Sequence, residues 1–246
     1  MSSDNKLPVV SVITVVRNDK EHTESTLNSL FAQDYPNIEY IVIDGASTDG
    51  TYEILNRYRD RIDILISEPD NGIYDAMNKG VMLAKGDYVG FLNSGDEYAN
   101  SKVISTIFAK LDNYVDVIYG DSIEMSEKGE KYIKAADFSV MEYSPAYRHG
   151  SSFVKREIQK KYMFKVDNKK LGYSLDWDSI YSIYKDKHSF YYCKSVIEKY
   201  QQEGISSNGY MNAWYNYLIT SSYGKKMQKL LYYCKNIMAL WMNSRR

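Results

Sequence analysis

Residues 38–51 read IEYIVIDGASTDGT, and the change of character inside this stretch decides the fold class. Ile38 to Ile43 is a short β-branched run, apolar on both faces, as a strand buried inside a parallel sheet must be. It runs into the polar turn Asp44-Gly45-Ala46-Ser47-Thr48-Asp49-Gly50, after which residues 51–59 take up a helical pattern. Upstream, Val9 to Val16 (VVSVITVV) is a similar run, ending at Arg17-Asn18. In residues 21–33, Leu27, Leu30 and Phe31 follow at helical spacing, before the breaker Asp34-Tyr35-Pro36-Asn37.

Downstream the alternation continues. Ile62 to Ile66 reads as a third strand, residues 72–84 as a helix, and Tyr88 to Leu92 as a fourth strand that stops at Asn93-Ser94-Gly95-Asp96. Val115 to Tyr119 reads as a fifth. Strands alternating with helices predict an α/β fold around a mostly parallel, Rossmann-like sheet. In such sheets ligands sit beyond the carboxyl ends of the strands. The polar clusters after the first, second and fourth strands are therefore expected to share a cleft. Beyond about residue 122 the pattern loosens into tyrosine- and lysine-rich sequence up to about Ser207.

Composition narrows the function. With 31 basic and 32 acidic residues, the formal charge of -1 argues against a nucleic-acid binder. Six basic residues and no acidic one from Gly204 onward leave 25 basic against 32 acidic before it, a formal -7. Cys193 and Cys234 are far apart and in no metal-ligand spacing. No signal peptide opens the sequence, and no run approaches the ~20 apolar residues of a membrane span. The expectation is a cytoplasmic protein. In residues 225–242, lysines interleave with Met227, Leu230, Leu231, Ile237, Leu240 and Trp241, a pattern that suits a helix lying on the membrane's inner face or one packed on the body.

The polar clusters supply candidate chemistry. Asp44 precedes its turn rather than opening the helix, which favours a contact to a base or ribose, whereas Ser47, Thr48 and Asp49 also suit capping. Asn93 to Asp96 offers hard oxygen ligands for magnesium or manganese, though the same residues suit a plain turn. Asp176 and Asp178 flank Trp177 at a helix start. Neighbours on a helix point apart, so one carboxylate is expected in the site and the other at solvent or in a cap. His149 suits a substrate contact or a structural histidine. Tyr143, Tyr147, Tyr181, Tyr184 and Trp214 suit sugar stacking or core packing.

Together PVVSVITVVRN, IEYIVIDGASTDGT, EPDNGIYDAMNKGVMLAKGDYVGFLNSGDEY, HGSSF, LDWD and EGISS resemble glycosyltransferase family 2, in order and spacing, over residues 8–207. The likeness is to the branch that assembles bacterial O-antigen, capsule and exopolysaccharide. It implies a GT-A domain over 1–207, with a nucleotide-sugar half (8–122), an acceptor half (123–207) and a helical tail (208–246). It also implies a divalent cation, Mn2+ or Mg2+, and inverting transfer of a hexose-type sugar from a nucleotide diphosphate to a glycan or lipid-linked acceptor. By position, Thr14, Val15 and Arg17 would line the nucleotide and Asp44 its base. Gly72, Asp75, Lys79, Asn93, Ser94 and Gly95 would line the donor pocket. Asp96 would hold the metal, Asp176 would be the base, and His149 and Trp177 would meet the acceptor.

In the usual Asp-X-Asp signature a first aspartate precedes the one matched by Asp96, and here Asn93 and Gly95 occupy that stretch; Leu175 replaces the glutamate of the Glu-Asp pair. Two rival classes remain. A nucleotidyltransferase would need a glycine-rich phosphate loop after the first strand, and Arg17 to Lys20 holds no glycine. The other is a catalytically silent nucleotide- or sugar-binding protein.

Overall fold

A computed structural model of the chain describes residues 7–108, 115–201 and 209–243. The first half runs β1 (Val10–Val16), α1 (Thr23–Phe31), β2 (Ile38–Asp44), α2 (Thr51–Arg57), β3 (Ile64–Ser67), α3 (Ile73–Leu83), β4 (Tyr88–Phe91), β5 (Glu97–Tyr98) and α4 (Val103–Phe108). The second runs β6 (Val117–Ser126), β7 (Gly129–Ile133), β8 (Ser152–Lys155), α5 (Arg156–Lys161), α6 (Leu175–Lys185), β9 (Phe190–Gln201), α7 (Gly209–Ser221) and α8 (Lys226–Asn243).

All seven residues of β1 are buried, because the strand lies mid-sheet between two apolar layers. Val10, Val12 and Val16 enter one layer, and Ile13 and Val15 the other. On the first side α1 buries Thr23, Thr26, Leu27 and Leu30. On the second α3 buries Ala76, Met77, Gly80 and Val81. Both sets follow the spacing of a single helical face. Helix α3 sits close on β1 because Gly80 has no Cβ; one placed there would lie 2.5 Å from Ile13 Cγ2.

The nine strands form one sheet in the order β3-β2-β1-β4-β8-β6-β9-β5, with β7 paired to β6. The β3-β2-β1-β4 portion is parallel, as expected. Register aligns the strand ends: Val16 pairs with Asp44, and Asp44 with Ser67. Ile13 pairs with Phe91, so residues 92–96 leave the sheet along the same edge.

The structure revises the expected strands in two places. The third begins at Ile64 instead of Ile62, because the Asp63 carboxylate accepts the Tyr40 N–H at 2.7 Å where a ladder bond would otherwise form. The fifth predicted strand is β6; it extends to Ser126 and does not border β4, since antiparallel β8 lies between them. The irregular-looking second half thus completes the same sheet. Residues 202–208, with the whole EGISS motif and the expected tail boundary, lie outside the described residues.

The tail is two helices. Leu218 and Ile219 of α7 join the core. From α8, Lys229 is 2% exposed and donates to Tyr181 Oη at 2.8 Å and to the Thr220 carbonyl at 2.5 Å. No helix among the described residues is long and apolar enough to cross a membrane.

Candidate active site

The first corner of the site lies at the ends of β1, β2 and β3. Asp44 is fully buried, and its carboxylate accepts the Ser47 and Ser67 hydroxyls, each at 2.5 Å, and the Ser47 N–H at 3.2 Å. It ties the turn after β2 to the end of β3. Arg17 is exposed, and it and Asp70 crowd Gly45 so closely that a Cβ there would meet both side chains. Val15 buries its side chain and accepts the Ser94 N–H at its carbonyl, 3.3 Å away. Thr14, expected beside the nucleotide, is instead a core residue. Its hydroxyl is 1% exposed and donates to the Leu92 carbonyl at 2.7 Å, with Tyr40 Oη 3.0 Å away. The alternation of β1 turns Thr14 into the apolar layer.

The loop before α3 forms the second corner. Gly72 takes φ 112°, a conformation open to glycine but strained for L side chains, and donates to Asp70 Oδ1 at 2.9 Å. Asp75 accepts the Asn71 N–H at 3.0 Å. Lys79 pairs with Glu68 at 2.8 Å, lies 3.8 Å from Asp75 and donates to the Pro69 carbonyl at 3.2 Å. Asp75 and Lys79 therefore brace the loop.

The third corner follows β4. Ser94 hydrogen-bonds Asp19 at 2.7 Å, and the Gly95 N–H donates to Thr26 at 3.0 Å. The backbone of Asp96 is held by Thr26 at its carbonyl, 2.9 Å. Its carboxylate takes no hydrogen bond from a described residue. Asn93 Oδ1 is buried and also unpartnered. Burial pushes the Asp96 carboxyl well above the usual carboxylate range, Glu198 adds to the rise, and Arg148 opposes it. Glu198 is fully buried on β9; its Oε1 meets Arg148 Nε at 2.9 Å while Oε2 has no partner. The Arg148 guanidinium lies 3.5 Å above the Tyr200 ring. Pairing of β5 with β9 places Tyr98 opposite Glu198, which brings these distant groups to Asp96.

A carboxylate and an orphaned amide oxygen, both hard donors, fit a divalent cation. Among the described residues no group of three or more His, Cys, Asp or Glu side chains stands ready to hold one. Any further ligands would have to come from the diphosphate and water.

The fourth corner is the first turn of α6. Asp176 is half-buried and its Oδ1 lies 3.0 Å from Tyr74 Oη. His149 stacks on Phe91 with ring centroids 4.6 Å apart and meets Phe164 edge-on at 5.5 Å. Burial holds its imidazole below the ordinary value; Asp176 pulls it up and Arg148 pushes it down. His149 thus lies within electrostatic reach of Asp176, and its neighbour Arg148 within reach of Asp96. Two expectations fail here. Trp177 is 3% exposed and packs on Tyr181 in the core, so it offers the acceptor no face. Asp178 is neither at solvent nor capping, but buried and paired with Lys165 at 2.9 Å. Leu175, in the glutamate's place, is core, as are Tyr147 and Tyr181.

The family model for glycosyl transferase family 2 matches residues 11–187. The chain belongs to that family. Among its similar relatives, TuaG of Bacillus subtilis, whose name assigns it to teichuronic acid biosynthesis, is 39% identical over 102 residues, 40% of each chain. WfaP of Escherichia coli, a glucosyltransferase acting on GlcNAc-diphosphoundecaprenol, is 35% identical over 102 residues, 41% of each. The matches thus span about two fifths of these relatives' length. Among solved structures, Staphylococcus aureus TarS 1-349 superposes with TM-score 0.66 at 19% identity, covering 86% of this chain and 64% of that one. The mannosyltransferase PcManGT of Pyrobaculum calidifontis, in complex with GDP-Man and Mn2+, gives 0.66 at 19%, covering 89% and 65%. The family 2 chain has the GT-A fold of these structures.

Sequence reading missed Tyr74, Arg148, Glu198 and Phe164 of this family 2 chain. Tyr74 and Arg148 stood inside or beside quoted motifs. Glu198 carries no local sign, because only strand pairing brings it to Asp96.

Proposed function

We propose that the protein is an inverting glycosyltransferase. It moves a sugar from a nucleotide diphosphate to a glycan or lipid-linked acceptor in cell-surface polysaccharide synthesis, the class of work named for TuaG and WfaP. The observation that carries this reading is that the adjacent residues Arg148 and His149 lie within electrostatic reach of Asp96, beyond the end of β4, and of Asp176 on α6, respectively. It supports reading Asp96 as the cation-binding carboxylate and Asp176 as the proton-accepting one of a single site.

In this reading Arg17, the backbone at Val15 and the Asp44 turn receive the nucleotide. The loop braced by Asp75 and Lys79 closes over the donor at Gly72. Residues 93–95 shape the floor. Asp96, with Asn93 of the same loop, would hold Mn2+ or Mg2+, which when bound neutralises charge on the departing diphosphate. Asp176 accepts the acceptor's hydroxyl proton as that oxygen attacks the anomeric carbon. His149, kept neutral by burial, offers the acceptor a hydrogen-bonding edge.

The tail supports docking on an anionic membrane surface. Opposite Lys229, α8 exposes Met227, Leu231, Met238, Trp241 and Met242 in one stripe, flanked by the exposed Lys226 and Lys235. A chain ending at Ser222 should lose sedimentation with anionic vesicles; retained sedimentation would remove the tail from this role.

Calorimetric titration with UDP, GDP and their common sugar conjugates, with and without manganese, tests the donor site. Metal-dependent binding of one nucleotide, lost in Asp96→Ala, is expected. Binding without turnover of any sugar nucleotide would favour a catalytically silent binding protein, and absence of binding to a folded sample would defeat the donor site.

A further inference from the structure

Tyr74 stands where the donor loop meets the proposed base, and no motif assigned it a role. It is the second residue of α3, two positions after Gly72, yet its hydroxyl reaches across the cleft to the start of α6. Its Oη lies 3.0 Å from Asp176 Oδ1 and 2.7 Å from the Tyr173 carbonyl oxygen. The ring packs on Phe164 with centroids 5.2 Å apart, and Phe164 in turn meets Phe91 and His149. These aromatic contacts restrict the ring to one place. Burial, and then the charge of Asp176, push the phenol well up, so it keeps its one proton, which the Asp176 carboxylate and the Tyr173 carbonyl share.

The two oxygens of Asp176 are therefore unequal. Oδ1 faces the Tyr74 hydroxyl, whereas Oδ2 takes no hydrogen bond from a described residue. A half-buried carboxylate held by one oxygen cannot rotate freely about its Cβ–Cγ bond without losing that bond. The groups facing it are Tyr74 from α3 and His149 from the turn before β8; neither supplies a second donor to Oδ2.

We propose that Tyr74 is the positioning residue of Asp176: by fixing Oδ1 it presents Oδ2 to the acceptor hydroxyl. This rests on the reading of Asp176 as the base. In the step itself the acceptor oxygen bonds to the anomeric carbon while its proton passes to Oδ2. The bond from that carbon to the diphosphate oxygen breaks, and its electron pair leaves with the diphosphate. Tyr74 holds its proton throughout and still has Oδ1 to donate to once Oδ2 is protonated. Because Tyr74 rides on the helix that carries the donor loop, the base is aimed from the same element that closes over the sugar nucleotide.

Tyr74→Phe keeps the ring on Phe164 and removes only the hydroxyl. With the sugar nucleotide identified by titration and nucleotide release as the assay, kcat should fall about tenfold, since misaimed proton transfer costs at least that much. KM for the sugar nucleotide and nucleotide affinity should stay within about twofold. An unchanged kcat, or a loss carried by KM alone, would overturn the role. A second measurement needs no ligand: the 13C carboxyl resonance of Asp176 should shift in Tyr74→Phe, and an unmoved resonance would equally overturn it. Asp176→Asn separates the two layers. Near-normal turnover there defeats the base and Tyr74's role together. A dead Asp176→Asn beside a fully active Tyr74→Phe defeats Tyr74's role alone.

Discussion

Asp44 and Asp96 both follow parallel strands at the same edge of the sheet, and the structure treats them in opposite ways. Asp44 is surrounded by donors from Ser47 and Ser67 and has no exposed surface. The Asp96 carboxylate receives no donor from a described residue and lies within electrostatic reach of the buried Glu198, and Asn93 Oδ1, three residues earlier in the same loop, is orphaned too. A buried carboxylate with donors holds a fold together; one without them costs stability until something positive arrives. Position at a strand end therefore does not by itself make an aspartate a ligand. What surrounds the carboxylate decides whether it braces or binds.

The largest expected effect tests the Asp96 side of this contrast. Asp96→Asn should weaken metal-dependent nucleotide binding about 100-fold, roughly 3 kcal/mol, because a cation loses its anionic ligand. Its melting temperature without ligand should stay equal or rise, since a desolvated carboxyl facing Glu198 has gone. A clear drop in melting temperature with unchanged nucleotide affinity would make Asp96 a brace like Asp44.

Asp44→Ala should show the opposite balance. Losing several hydrogen bonds to a charged acceptor and leaving two hydroxyls unpaired should cost about 2–3 kcal/mol, lowering the melting temperature by roughly 5–10 °C. Calorimetry would read this directly. An unchanged melting temperature with collapsed nucleotide affinity would place Asp44 among the ligand contacts instead.

The smallest effect sharpens the comparison with a third carboxylate. Asp116 is partly buried, which raises its pKa, but the Ser189 N–H, Lys155 and His188 outweigh burial and hold it well below the usual range. The folded value lies below the unfolded one of about 3.9, so its contribution is present above that pH and is lost as pH falls through the folded value. Urea midpoints should therefore drop below about pH 4 more steeply for the native chain than for Asp116→Asn. Parallel curves from pH 5 to pH 2 would show that the ion pair contributes nothing.

The parallel half was legible because each element carries its own period: the doubly apolar runs of β1 and β2, and the helical spacing of Leu27 and Leu30. Motif order then identified the family. Site residues were less legible. Thr14 follows the same family pattern as Val15 and Arg17, yet it lies inside a strand buried on both faces and its hydroxyl is spent on the Leu92 carbonyl. Trp177 and Asp178 look like site residues beside Asp176, but one turn of helix sends both into the interior. In the second half β8 and β9 pair with strands far away in sequence, so no local period announces them.

By itself the sequence determined the α/β alternation, the family, and which loops carry oxygen-rich side chains, since these follow from residue type and spacing along the chain. The tertiary structure alone decided which carboxylates are satisfied. It brought Glu198 to Asp96 through the β5–β9 pairing and Tyr74 to Asp176 across the cleft. A carboxylate's role depends on donors and charges within a few ångströms, and those neighbours come from segments that only folding brings together.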